Sequence, residues 1–178
     1  MADIMFAGIG GQGVLTAGKI LIEIAAENGK NVCWTSEYSA EMRGGLSLCR
    51  VVISDEDIGS PYPDVLDVLC CMTEEAYDQY SCQVRPQGTV IINRSLFSER
   101  DFPEEVQVYG VDAMEIAAEA GSPRGLNLVM LGAMIRATEM IDKGQFADTL
   151  NEYFERKGKG DPKNLKCFAL GYEKTVKM

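Results

Sequence analysis

The sequence contains no histidine and only one tryptophan in 178 residues. Lacking imidazole, it has neither the commonest general base at neutral pH nor the commonest metal ligand. Any chemistry would fall to carboxylates, lysines, a tyrosine or a thiol. Basic charge is also scarce: 17 Lys and Arg face 27 Asp and Glu, a net charge of −10. That balance opposes nucleic-acid binding, which needs a basic surface, but leaves room for one small anion held locally. No apolar run approaches the ~20 residues that span a bilayer. The start, Met1 to Phe6, lacks the basic opening of a signal peptide. The expectation is a cytoplasmic protein with no membrane association, whose thiols stay reduced.

Six cysteines are present: Cys33, Cys49, Cys70, Cys71, Cys82 and Cys167. Their spacing matches neither the closely repeated cysteines of an iron–sulfur ferredoxin nor the paired set of a zinc site. A cluster held by this chain alone is therefore not expected. Cys33, Cys49, Cys70 and Cys71 fall inside apolar, strand-like runs and read as small buried hydrophobes. The bulk composition, 46% hydrophobic and 25% charged, is that of a globular chain. Its length suits one domain over residues 1–178.

The pattern along the chain predicts an α/β fold. Asp3 to Ala7 reads as a buried strand, the glycines from Gly8 to Gly13 as a turn, and Val14 to Asn28 as a helix closed by Gly29. Asn31 to Thr35 completes a βαβ unit, and the polar segment Ser36 to Gly45 reads as a functional loop. Further strands are predicted at Leu46 to Ser54, Asp64 to Met72, Thr89 to Asn93 and Val106 to Tyr109. A turn through Asp55, Gly59, Pro61 and Pro63 precedes the second of these, and Thr73 caps a helix over Glu74 to Tyr80. Beyond Val111 the pattern is helical. A helix over Ala113 to Ala120 comes first, then a long one opened by Ser122-Pro123 and ending near Gly144. Two more follow, over Gln145 to Arg156 and from Asp161-Pro162 to Lys174. The expected architecture is a three-layer, Rossmann-like domain with a mostly parallel sheet and a helical C-terminal portion.

Gly8-Ile9-Gly10-Gly11-Gln12-Gly13 satisfies G-x-G-x-x-G between a strand and a helix. Glycines there let the backbone approach a diphosphate, and the helix start offers unpaired N–H groups and partial positive charge. Thr16 adds a hydroxyl in the first turn. The bland alternative is a tight turn with no ligand. A dinucleotide site also wants an acid about twenty residues further on, to hold a ribose. Glu37 stands near that place, so an NAD reading remains open.

Taken together, the glycine loop and Tyr38-Ser39-Ala40-Glu41-Met42-Arg43-Gly44-Gly45 resemble the two signature blocks of gamma subunits of 2-oxoacid:ferredoxin oxidoreductases. The strand closing at Ile53-Ser54-Asp55, Pro63 to Leu66, Glu75-Ala76-Tyr77, Asn127 and Leu170-Gly171-Tyr172 follow in order. The resemblance implies a subunit of an enzyme that oxidatively decarboxylates a 2-oxoacid, forms its acyl-coenzyme A and reduces ferredoxin. Thiamine diphosphate and iron–sulfur clusters would sit on partner alpha, beta and ferredoxin-like delta subunits. No thiamine motif is found in this chain. Its own share would be assembly and coenzyme A binding, without catalytic residues. Carried over by position, Gly8, Gly10, Gly11, Gln12 and Gly13 form the phosphate cradle, with Thr16, Arg43, Gly44 and Asn127 beside it. Arg43 would meet a coenzyme A phosphate or form an ion pair with another subunit. Ile9 in the loop favours the 2-oxoglutarate or branched-chain type over the pyruvate type, and an indolepyruvate enzyme is a further alternative.

Other features have a plain reading beside a functional one. Arg124 opposes the dipole of the helix it opens, so it either meets an anion or partner or is simply exposed. Arg156, Lys157, Lys159 and Lys163 read as a solvated linker. Met114, Met130, Met134 and Met140 read as core or as a docking patch. Two rival functions stand: a free NAD(P)-dependent oxidoreductase, and a purely structural subunit.

Overall fold

The computed structural model of the chain describes residues 1–38, 45–60 and 65–178, with Tyr38 described by its backbone alone. In chain order the elements are β1 (Ala2–Ile9), α1 (Val14–Glu27), β2 (Asn31–Tyr38), β3 (Leu46–Ser54), β4 (Leu66–Cys71), α2 (Glu74–Tyr80) and β5 (Val84–Asn93). They continue with β6 (Gln107–Val111), α3 (Ala113–Glu119), α4 (Leu126–Thr138), α5 (Lys143–Arg156), α6 (Pro162–Lys174) and β7 (Val176–Lys177). The strands form one seven-stranded sheet in the order β2-β3-β1-β4-β5-β6-β7. β1, β4, β5 and β6 pair in parallel, while β3 is antiparallel to both β1 and β2, and β7 to β6. Five strands therefore share one direction, as the mostly parallel expectation requires.

Alternation along each strand sends side chains to opposite faces, and both faces are buried. Ile4, Phe6, Cys49, Val51 and Ile53 meet Ala17, Ile20, Leu21 and Ile24 of α1 in the larger core, which continues into α4, α5 and α6. Met5, Ala7, Leu69, Cys71, Val90 and Ile92 meet Ala76 and Tyr77 of α2 on the other face. Phe97 and Phe102 stand edge-on to Tyr77 at 6.1 and 5.5 Å and extend that second core. Three layers result.

Several sequence expectations are corrected. The βαβ unit exists, but β3 lies between β1 and β2, so the two parallel strands are not neighbours. Ser36 to Tyr38, expected in a loop, extend β2 because β3 gives them a full antiparallel partner. The helix after Ser122 does not run to Gly144. Pro123–Gly125 is a 3-10 turn, the Ser122 side chain caps nothing, and α4 stops at Thr138 with Glu139 left-handed at φ 50°. Asp142 then accepts from the Gln145 N–H and opens α5, leaving Met140 and Ile141 in the connection. β5 begins at Val84, earlier than expected, across a register shift opposite Leu66 and Val68. β7 carried no clear signal, being two residues long.

α4 is also not a one-sided helix: every residue from Leu126 to Ile135 is buried, between the sheet and α6. Met130 and Met134 are consequently core residues, while Met114 is exposed. Cys49, Cys70 and Cys71 are buried, as expected of small hydrophobes, and Cys167 is buried too, but Cys33 on edge strand β2, expected to be buried with them, is only half-buried. Burial pushes the Cys49 thiol up to about 12 and also raises Cys70 and Cys71, so these thiols stay protonated and unreactive at neutral pH.

At the amino ends of the central strands, Asp67 of β4 accepts the Asp3 backbone N–H at 2.7 Å and the Arg85 guanidinium at 2.8 Å. The Asp3 carboxyl is thus buried next to a satisfied carboxylate. Burial first, and the Asp67 charge second, raise its pKa. A raised native pKa means the folded state holds its proton longer than the unfolded chain. Stability therefore falls as pH rises through that interval, and the cost is complete above it. Asp3→Asn is expected to raise the thermal midpoint near pH 7 and leave it unchanged at about pH 3, where Asp3 is protonated in both states. Thermal unfolding at the two pH values checks this, and an equal shift at both would reject it.

Candidate functional site

β1 and β4 are adjacent and parallel, yet β1 continues into α1 on one face and β4 into α2 on the other. Strand connections that diverge in this way open a crevice at the carboxyl ends of the strands, where α/β sheets commonly bind ligands. The loop from Gly8 to Gly13 lines it from one side and Met72-Thr73 from the other. The two touch: Met72 N–H donates to Ala7 O at 2.8 Å, and a Cβ on Gly8 would lie 2.8 Å from that of Met72. Met72 lies 64 positions from Gly8, and nothing local in the sequence marked it as part of the site.

Within the loop, Gln12 is a brace. Its Oε1 accepts the Ile9 N–H at 2.8 Å, and its own N–H donates to Ile9 O at 3.3 Å. Gly11 at φ 95° and Gly13 at φ 80° take left-handed conformations that disfavour side chains. Gly10 and Gly11 are exposed, and a Cβ at either would meet nothing within 4 Å. They form the open floor of a cradle. Gly13 begins α1 with no side-chain cap, and no acid stands in the first turn. The first N–H groups of that helix have no acceptor within it and point out of its end, with partial positive charge. Thr16 is exposed in this turn.

Asn127 joins the loop from 114 residues away. It lies in the first turn of α4, is only 7% exposed, and its amide carbon and nitrogen would be 3.0 Å from a Cβ on Gly13. Among the described residues its amide has no hydrogen-bonding partner. It is not one of the sealed-off unsatisfied polar groups, so the amide faces solvent or a ligand at the loop. The fold thus brings Gly8, Gly10, Gly11, Gln12, Gly13, Thr16 and Asn127 together. Arg43, Gly44 and Glu41 lie outside the described residues, as do Pro61 and Pro63 of the expected turn.

Glu37 is not placed as a ribose acid would be. It sits near the end of edge strand β2, separated from β1 by β3, hence about 10 Å across the sheet. It pairs in register with Leu48 on the face opposite α1, and its charge acts on Tyr80. Among the described residues no three His, Cys, Asp or Glu side chains gather as a metal site would need. Among them, too, no helix is long and apolar enough to cross a membrane.

A family model described as pyruvate ferredoxin/flavodoxin oxidoreductase matches residues 3–174. The chain belongs to this family. It is 37% identical to 2-oxoglutarate synthase subunit KorC of Methanocaldococcus jannaschii over 175 residues, 96% of this chain and 92% of KorC. It is also 37% identical to ketoisovalerate oxidoreductase subunit VorA of Methanothermobacter marburgensis over 171 residues, 94% of this chain but 35% of VorA. The gamma subunit of the keto/oxoacid ferredoxin oxidoreductase of Geobacter sulfurreducens superposes with a TM-score of 0.81 at 29% identity, covering 98% of each chain. A second solved structure is the 2-oxoglutarate:ferredoxin oxidoreductase of Magnetococcus marinus with 2-oxoglutarate, coenzyme A and succinyl-CoA bound. It superposes with a TM-score of 0.80 at 26% identity, over 98% of this chain and 30% of that one. The chain thus spans about a third of VorA and of the Magnetococcus protein, and nearly all of KorC and the Geobacter subunit.

Proposed function

We propose that this chain is the gamma-type subunit of a cytoplasmic 2-oxoacid:ferredoxin oxidoreductase, with 2-oxoglutarate as the 2-oxoacid. Residues 1–178 act as one unit that binds coenzyme A at the glycine loop and docks on alpha, beta and ferredoxin-like delta subunits. Thiamine diphosphate and the iron–sulfur clusters belong to those partners. The 2-oxoacid loses carbon dioxide there, its acyl group passes to the coenzyme A thiol, and the released electrons go to ferredoxin. The observation that carries this reading is the open cradle of Gly10 and Gly11 at the uncapped start of α1, with the unpartnered Asn127 amide against it. The near end-to-end likeness to KorC supports 2-oxoglutarate.

The site residues on this chain are Gly8, Gly10, Gly11, Gly13, Thr16 and Asn127, with Gln12 shaping the loop and Arg43 and Gly44 contributing from the segment after β2. The competing NAD(P) reading is weakened by the position of Glu37, two strands from the loop and on the wrong face. The test is ferredoxin reduction with 2-oxoglutarate and coenzyme A, comparing the pure chain with the complex recovered through a tag on it. The complex is expected to turn over and the chain alone to be inactive. Turnover by the pure chain, or a complex inactive on every 2-oxoacid, would reject the proposal; micromolar binding of NADH would favour the dehydrogenase alternative.

A further inference from the structure

Six α-helices begin among the described residues, and four of them answer their own dipoles. α2 has Thr73 as cap and Glu74 and Glu75 in its first turn; α3 has Glu115; α5 and α6 are capped by Asp142 and Asp161. α1 and α4 have neither a side-chain cap nor an acid in the first turn. These two meet where Asn127 packs on Gly13. In a chain of net charge −10, two uncompensated positive helix ends converge on the amide of Asn127, a residue only 7% exposed whose side chain has no partner among the described residues. Arg124 stands on the 3-10 turn leading into α4, three residues before Asn127. That spacing puts the two side chains on one side of the helical path. Arg124 is exposed and makes no ion pair with any described residue, although a cation at a helix start opposes the helix dipole.

We infer that the start of α4 is the second half of the ligand site, and that Arg124 holds a second phosphate group, distinct from the diphosphate at the α1 cradle. This deepens the coenzyme A reading and rests on it. The division of labour follows from the geometry. Exposed glycines and backbone N–H groups suit the diphosphate, which must approach the main chain closely. Arg124 lies about one helical turn beyond Asn127, on a long side chain at the rim, and its planar fork suits a terminal phosphate. Asn127 lies between the two and serves the portion of the ligand nearer Gly13. A ligand with one diphosphate and a separate phosphomonoester, as in coenzyme A, satisfies both halves; a ligand lacking the monoester satisfies one.

The test uses the complex recovered through a tag on this chain, titrated by calorimetry with coenzyme A and with 3′-dephospho-coenzyme A. Arg124→Gln is expected to weaken coenzyme A about tenfold and 3′-dephospho-coenzyme A by less than about twofold, with partial rescue in Arg124→Lys. Asn127→Ala is expected to weaken both ligands. Equal effects of Arg124→Gln on the two ligands, or none on either, overturn the inference while leaving the coenzyme A reading intact. A wild-type complex that binds neither ligand overturns that reading and this inference with it. Because Arg124 is exposed, its variants fold as the parent does, and circular dichroism verifies that.

Discussion

Gly171→Ala and Gly132→Ala are each expected to cost about 3 kcal/mol or more of folding stability, enough to lower the yield of soluble protein. The cause is the crossing of α4 and α6, whose backbones are in direct contact. A Cβ on Gly132 would lie 2.1 Å from Phe168 O and 2.7 Å from Tyr172 N, and one on Gly171 would lie 2.2 Å from Val129 O. Neither obstacle is a flexible side-chain end; both are main chain held in helices. Alanine ordinarily improves a helix interior by about 1 kcal/mol over glycine, so propensity alone predicts stabilisation. The steric term is larger and opposite, because the helices must separate and open voids beside Val129, Leu131 and Phe168, all essentially dry. Urea unfolding of both variants decides the sign. A midpoint equal to or above that of the parent would show that the helices can separate at little cost.

Gly10→Val is expected to do the reverse, leaving stability unchanged to within about 1 kcal/mol while raising the Kd for coenzyme A about a hundredfold. A Cβ at Gly10 meets nothing within 4 Å, so the folded chain has room for the side chain. The same space is where a diphosphate would approach the N–H groups at the start of α1, and a branched side chain there keeps it away. Calorimetric titration of the assembled complex, beside thermal unfolding of the chain, separates the two effects. Loss of affinity with assembly intact removes the view that the glycine loop serves only to pack against another subunit. Unchanged affinity would place the ligand elsewhere.

The comparison of these two kinds of glycine shows how much could be read in advance. Gly10 declared itself by its neighbours, because a glycine cluster between a strand and a helix has one common physical use. Gly132 and Gly171 did not, since a lone glycine in a helical pattern looks like a mild defect until its contact is known. The helix starts divide in the same way. Thr73 and Asp161 are legible caps because their partners lie two or three residues on. Ser122 gave the same local signal and caps nothing, because the chain enters α4 through a 3-10 turn.

From sequence alone came the glycine loop, most element positions, the α/β class and the absence of histidine chemistry, all of which depend on local spacing or composition. Only the tertiary structure decided that β3 separates β1 from β2, that Glu37 is therefore remote from the loop, and that Asn127 reaches Gly13 across 114 residues. Local patterns report backbone preference and one-sided burial. They do not report strand order or which distant side chain fills a gap, because those follow from how whole layers pack. The ligand site is of both kinds: its cradle is written locally, and the side chains that complete it arrive through the fold.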